Sequence, residues 1–212
     1  MNLLPASVKV TVSTDFDALF SASDDPWGFR TRWYEARKRA LTLACLPACH
    51  YRRAYEPGCA NGELAAALAP RCESLIASDG TAAAVALAQT RLAAFAHVQV
   101  RQAWVPDEWP EGELDLVVLS ELGYYLSPAA LVELARRVQN SLSFQAPHTS
   151  GTVLACHWKH PIAGCALDGL AVHALLDRHL GMARLLRHEE ADFVLDVWST
   201  DSRSVAAREG LR

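Results

Sequence analysis

A chain of 212 residues can fold around one well-packed core with a short extra segment, and is hardly long enough for two domains. It is 51% hydrophobic and 21% charged, with 20 basic against 24 acidic residues for a net charge of −4, which argues against a general nucleic-acid binder with a basic face. No apolar run approaches the roughly 20 residues that span a bilayer, and the opening MNLLPASVKVTVS lacks the charged-then-apolar pattern of a signal peptide.

Residues 14–22 (TDFDALFSA) read as a short helix, followed by a turn at Asp24-Asp25-Pro26. From Thr31 to Leu46 the period is helical, with Trp33, Ala36, Ala40 and Leu43 on one side, and Pro47 closes it. Tyr51–Glu56 reads as a strand cut off by Pro57 and Gly58, and a helix starts over 62–68. Ser74–Ser78 is a second strand, 81–94 an Ala/Leu-rich helix, and His97–Gln102 a third strand. Leu114–Ser120 is nearly all apolar, as a buried parallel strand should be. An amphipathic helix follows over 128–142, a fifth strand over 152–157 and a helix over 169–180; strand-like runs at 183–188 and 192–199 lie close enough for a hairpin. Strands separated by helices imply parallel βαβ units, hence an α/β Rossmann-like sheet with helices on both faces, an antiparallel pair finishing one edge region. One domain over 1–212 is expected, with no repeat or linker.

The six cysteines are scattered through periodic segments. Cys45 and Cys49 suit zinc by spacing, but no second Cys/His pair follows, so reduced thiols, no metal, no disulfide and a cytoplasmic location are expected.

Glu56-Pro57-Gly58-Cys59-Ala60-Asn61-Gly62 carries the most information. Gly58 and Gly62 sit between a strand and a helix, where the backbone must turn tightly and approach a ligand. The GxGxxG spacing of a dinucleotide fingerprint is absent, and an acidic Glu56 repels pyrophosphate but can hold an ammonium or sulfonium; the loop points to a cationic cofactor. Asp79, 17 residues past Gly62, ends the second strand, where a carboxylate reaches ribose hydroxyls; the plainer alternative is a turn with Gly80 that caps the next helix.

Together these elements resemble motifs of the class I S-adenosylmethionine-dependent methyltransferases. The segments Asp25–Arg30 (DPWGFR), Trp33-Tyr34-Glu35 with Arg37-Lys38, Glu56–Cys59, Pro106–Pro110, Leu119–Leu126 (LSELGYYL) and His157–Pro161 are more narrowly similar to the nodulation protein S family. That resemblance implies a seven-stranded sheet with one antiparallel strand, S-adenosylmethionine as cofactor, and methylation of the free amine of an N-deacetylated glucosamine ending a chitooligosaccharide. Departures are Ala60 where the wider superfamily has a glycine or small residue, tolerable at negative φ; Gly80 where a bulkier residue often lies; and a long loop over 144–150.

On this basis Trp27 and Trp33 belong to an N-terminal helical lid over residues 14–46, Arg37 meets the methionine carboxylate, Trp104 neighbours the adenine and Ser120 lines the cofactor site. Glu121 and His157, at the ends of the fourth and fifth strands, are the candidate bases for an acceptor amine; a helix-start charge and a packed strand-end histidine are the competing readings. Tyr124, Tyr125 and His160 are expected to face the acceptor, a small-molecule amine or sugar. Two alternatives stand beside this one: a hydroxyl acceptor, and a cofactor-binding partner subunit without catalysis. Neither nucleic acid nor membrane is an expected partner, and the sequence carries no oligomer signature.

Overall fold

The computed structural model describes residues 15–142 and 150–212. The loop over 144–150 singled out above lies outside them except for its last residue.

Seven strands form one sheet in the order β3-β2-β1-β4-β5-β7-β6: β1 Tyr51–Pro57, β2 Cys72–Asp79, β3 Val98–Gln102, β4 Leu116–Ser120, β5 Thr152–Trp158, β6 Ala183–Glu189 and β7 Phe193–Ser199. All neighbouring pairs are parallel except those that β7 makes with β5 and β6. The hairpin expected at the end of the chain forms, but β7 slots between β5 and β6, so the single antiparallel strand lies one place in from the edge.

Central strands are buried on both faces and the edges are not. Leu116, Val118 and Leu154 pack into one core with Leu75 and Leu195, while Val117, Leu119 and Val153 face the other with Tyr55 and Trp198. This alternation is the two-residue period of a strand. Each such leucine contributes about 2–5 kcal/mol against truncation to alanine. β4 begins at Leu116, two residues later than its apolar run, and the Asp115 carboxylate just before it accepts the N–H groups of Arg52 (2.8 Å) and Arg53 (2.9 Å), tying it to β1.

Helices α1 Phe16–Ala22, α2 Trp33–Ala44, α3 Glu63–Leu68, α4 Ala82–Leu92, α5 Pro128–Ser141 and α6 Gly169–His179 connect the strands, with a short α7 at Val205–Arg208 that the periodicity did not suggest. Side-chain caps explain several starts: Asp15 accepts from Ala18, Ser127 from Ala130 and Asp168 from Ala171. In α2 the inward face differs from the one the apolar pattern suggests. Glu35, Lys38 and Thr42 are buried, whereas Trp33 is 77% exposed and Ala40 is exposed as well. Polar groups can be buried there because they find partners: Lys38 bonds Glu35 and, 83 residues away, Glu121, and Thr42 Oγ1 donates to the Lys38 carbonyl.

Candidate functional site

The strand order reverses between β1 and β4, so their connections leave in opposite directions and a crevice opens at the carboxyl ends. A cavity of about 590 Å³ occupies it, with walls from the ends of β1, β2, β4 and β5 and a cover from α1, α2 and the turn between them.

At the β1–β2 end the chain turns through three left-handed residues, Gly58 (φ 72°), Ala60 (φ 49°) and Gly62 (φ 80°). Ala60 therefore does not meet the negative φ expected of it; its N–H is held by Asp79 Oδ2 at 3.0 Å, which keeps the residue in a conformation that disfavours a Cβ. Asp79 Oδ1 accepts from Thr81 at 2.9 Å, so one carboxylate ties the glycine loop to the start of α4. Gly62 does not line the cavity. It caps α3, and a Cβ there would lie 3.1 Å from the Ala88 backbone, so its role is close packing of α3 on α4.

Glu56 is 2% exposed, and its Oε2 has no partner among the described residues. Burial, with the neighbouring Asp79 adding like charge, pushes its carboxyl up to about 8. Asn61 is fully buried; its amide donates to Asp25 Oδ1 (3.0 Å) and the Asp24 carbonyl (3.2 Å), while its Oδ1 is unpartnered. Asp25 in turn accepts the N–H groups of Phe29 and Arg30. This docks the Asp24–Arg30 turn, with Trp27 on the cavity wall, onto the glycine loop. The Trp104 ring lies across Gly80, where an added Cβ would come within 2.7 Å of ring atoms; glycine at 80 is what lets the indole lie on the cavity floor.

At the β4–β5 end Glu121 has φ 54°, an unfavourable backbone for a residue with a side chain. Its carboxylate is fully engaged: Oε1 meets Lys38 Nζ at 2.6 Å, and Oε2 accepts from the Trp158 N–H at 2.9 Å and from the Tyr124 hydroxyl. Lys38 also pairs with Glu35 at 3.0 Å and lies 5.0 Å from the centre of the Tyr34 ring. Burial alone would lower the Lys38 pKa, but Glu121 and Glu35 outweigh it and hold the ammonium charged. Burial raises Glu35, with Lys38 opposing. All these groups line the cavity, as does half-buried Tyr125, which packs edge-on against Phe16 of α1.

Of the residues singled out in the sequence, the cavity gathers Trp27, Glu56, Gly58, Asp79, Gly80, Trp104, Ser120, Glu121, Tyr124 and Tyr125. Four others lie off its wall besides Gly62. Arg37 is turned outward by a two-pronged ion pair with Glu190 (2.6 and 2.8 Å). Trp33 projects into solvent. His160 sits at the rim, bonded to Asp192 at 3.0 Å. His157 is fully buried with both ring nitrogens engaged, by Gly123 N–H and by His173, and burial holds its pKa well below the ordinary value; it cannot touch an acceptor. Lys38, Glu35 and Asn61 were not picked out, because their partners lie far off in sequence. The Asp-Pro turn two residues before Trp27 was the available hint for Asn61. Among the described residues no three His, Cys, Asp or Glu side chains are grouped to hold a metal ion, and no helix is long and apolar enough to cross a membrane.

The nodulation protein S (NodS) family matches the chain over residues 12–157. Nodulation protein S of Sinorhizobium fredii (strain NBRC 101917 / NGR234) is 30% identical over 148 residues, 69% of this chain and 63% of that protein, so the chain spans less than two thirds of this relative's length. A crystal structure of a candidate methyltransferase from Pseudomonas syringae is 50% identical, over 79% of this chain and 99% of that one, with a TM-score of 0.70. The N-methyltransferase NodS from Bradyrhizobium japonicum WM9, in complex with S-adenosyl-L-homocysteine, is 21% identical over 90% of this chain and 98% of its own, with a TM-score of 0.76, a likeness of fold.

Proposed function

The chain belongs to the nodulation protein S family, and from that premise we propose that it is a methyltransferase using S-adenosylmethionine, with the amine of a small molecule as acceptor. The acceptor class favoured by the sequence resemblance is an amino sugar, an N-deacetylated glucosamine ending a chitooligosaccharide-like chain. One observation carries the reading: a single cavity has an unpartnered buried carboxyl, Glu56, at one end and two carboxylates sharing one lysine at the other.

The residues present fit the cofactor. Glu56 Oε2 and Asn61 Oδ1 are acceptors lacking donors, the complement of an ammonium group. Asp79 ends β2 on the cavity wall, where a carboxylate is placed to meet a pair of ribose hydroxyls. Trp104 over Gly80 offers a flat face to adenine. When bound, S-adenosylmethionine supplies a methyl group already activated on sulfonium. The chain's own residues have to align the acceptor, exclude water and take a proton.

Glu35 and Glu121 share Lys38 on a wall that also carries Tyr34, Tyr124 and Trp158. Such a carboxylate-and-aromatic wall favours a cationic amine over a neutral alcohol. Glu121 is saturated by Lys38, Tyr124 and the Trp158 N–H, whereas Glu35 bonds Lys38 alone among the side chains, so Glu35 takes the place of Glu121 as the candidate base. Tyr125 and His160 flank the entrance, where sugar hydroxyls would lie. The helical segment up to residue 46 acts as the lid of a single-domain enzyme, a reading supported by the cavity-lining residues it contributes, Phe16 and Trp27 among them.

The test is calorimetric titration with S-adenosylmethionine and, separately, NAD, followed by mass spectrometry of glucosamine-terminated oligosaccharides and their N-acetylated forms. We expect micromolar binding of the first cofactor alone and methylation of the free amine alone. Methylation at oxygen would make the acceptor a hydroxyl, cofactor binding with no turnover would favour a non-catalytic subunit, and binding of NAD would sink the cofactor assignment.

A further inference from the structure

Behind the β4–β5 wall lies a second cluster of titratable groups that the proposed reaction does not use. Gly123 donates its N–H to His157 Nε2 at 2.9 Å. His157 Nδ1 lies 3.1 Å from His173 Nε2, and His173 Nδ1 lies 2.7 Å from Asp196 Oδ2. None of these three side chains is more than 1% exposed. Arg187 of β6 approaches the same Asp196 oxygen at 3.4 Å, and Asp196 Oδ1 has no partner among the described residues. The cluster thus runs from β6 and β7 through α6 and the end of β5 to the turn at Gly123–Tyr125.

Counting donors fixes the protons. A neutral imidazole has one N–H and one bare nitrogen. His157 Nε2 accepts from Gly123, so its proton is on Nδ1 and is donated to His173 Nε2. That nitrogen must then be bare, so the His173 proton is on Nδ1, aimed at Asp196. The chain of bonds has one direction, from the Gly123 amide to a buried carboxylate. A His157 protonated on both nitrogens has nothing to offer Gly123, and its burial opposes that state.

The far end of the chain is where the cavity wall is least relaxed. Gly123 follows Glu121 by two residues, and Glu121 is held at φ 54°. A Cβ on Gly123 would collide with Val172 of α6 and lie 3.1 Å from His157 Nε2, so the close approach of this amide to the imidazole requires glycine.

We propose that Asp196, His173 and His157 form a hydrogen-bond chain that fixes the Glu121–Tyr125 wall, making the two histidines positioning residues for the reaction. The proposal rests on reading that wall as the acceptor side. It replaces a direct proton transfer by His157 with a role exerted through the Gly123 amide.

Long-range ¹H–¹⁵N NMR of the full chain with labelled imidazoles reads the tautomers at neutral pH. Both rings should be neutral with the proton on Nδ1, and an Nε2–H on either ring overturns the chain. Positioning is read by comparing His157→Gln, whose Oε1 can replace Nε2 as acceptor for Gly123, with His157→Asn, which can still bond His173 but is too short to reach Gly123. Turnover of His157→Asn should fall roughly 100-fold, with S-adenosylmethionine affinity within about twofold and faster exchange of the Gly123 amide; His157→Gln should recover most of each loss. Equal turnover in wild type and His157→Asn would reduce the chain to packing and overturn its positioning role. If wild type methylates no acceptor, the reading of the wall fails separately. Gly123 exchange then decides: protection lost in Asn and kept in Gln supports the chain, and no difference overturns it.

Discussion

At the β1–β2 end of the cavity Glu56 and Asn61 each keep a buried oxygen without a partner, whereas at the β4–β5 end every oxygen of Glu121 is bonded. The first end is completed only by what binds there. The charge network of the second is closed beforehand by Lys38 and braced by backbone and hydroxyl donors, and the Tyr34 hydroxyl beside it is the group there left without a partner among the described residues. A buried acceptor without a donor is costly, so the first end gains most from a ligand that brings N–H groups. A pre-paired network gains little from ligand and instead supplies a fixed wall.

The contrast can be broken most forcefully at Lys38. Lys38→Met leaves two buried carboxylates facing each other and should cost about 3–5 kcal/mol in urea unfolding, with cofactor affinity within about threefold. A cost below about 1 kcal/mol would erase the difference between the two ends.

Glu56 sharpens it from the other side. Its folded-state pKa of about 8 lies above the ordinary 4.5, so the unfolded chain releases a proton that the folded chain keeps. Wild type should therefore lose stability as pH rises from about 4.5 to about 8, and above that carry the whole penalty, on the order of 5 kcal/mol. Glu56→Gln should flatten that slope, measured as unfolding free energy between pH 5 and 9. If a bound cation requires the ionised form, wild-type cofactor affinity should rise by up to tenfold per pH unit below about 8, and the variant should lose this dependence.

Smaller effects refine the cofactor end. Gly80→Ala should lift Trp104 and weaken cofactor binding by about 1 kcal/mol in calorimetry; unchanged affinity would remove the indole from the site. Ala60→Gly should raise thermal stability by about 0.5–1 kcal/mol by relieving the left-handed backbone, and a loss would mean the Ala60 methyl group has a packing role. Arg37→Ala should leave cofactor affinity unchanged, since the guanidinium is held outside by Glu190; a drop of roughly tenfold would return Arg37 to the site.

Much of the β1–β2 end was legible because its parts are local. Glu56, Gly58 and Asp79 fall at strand ends that hydropathy marks, and glycine and acidic residues there have few other reasons to recur at that spacing. The acceptor end was legible only in fragments. Tyr124, Tyr125 and Glu121 were visible after an apolar strand, but Lys38 and Glu35 stood only within a family-like segment with no role attached. Arg37, one position from Lys38 on α2, drew the attention instead, and a helical turn puts the two about 100° apart. His157 was open to two readings, a base and a packed strand-end histidine, and the sequence could not choose between them because its partners His173 and Asp196 come from α6 and β7.

The sequence by itself determined the seven strands, the helices between them and the glycine loop at the end of β1, because periodicity, breakers and caps act over a few residues. Only the tertiary structure decided which face of α2 turns inward, which carboxylates share Lys38, and which groups meet each nitrogen of the buried His157 and His173. Those outcomes depend on partners up to 83 residues apart, whose mutual neutralisation makes burial affordable and leaves no trace in the local pattern.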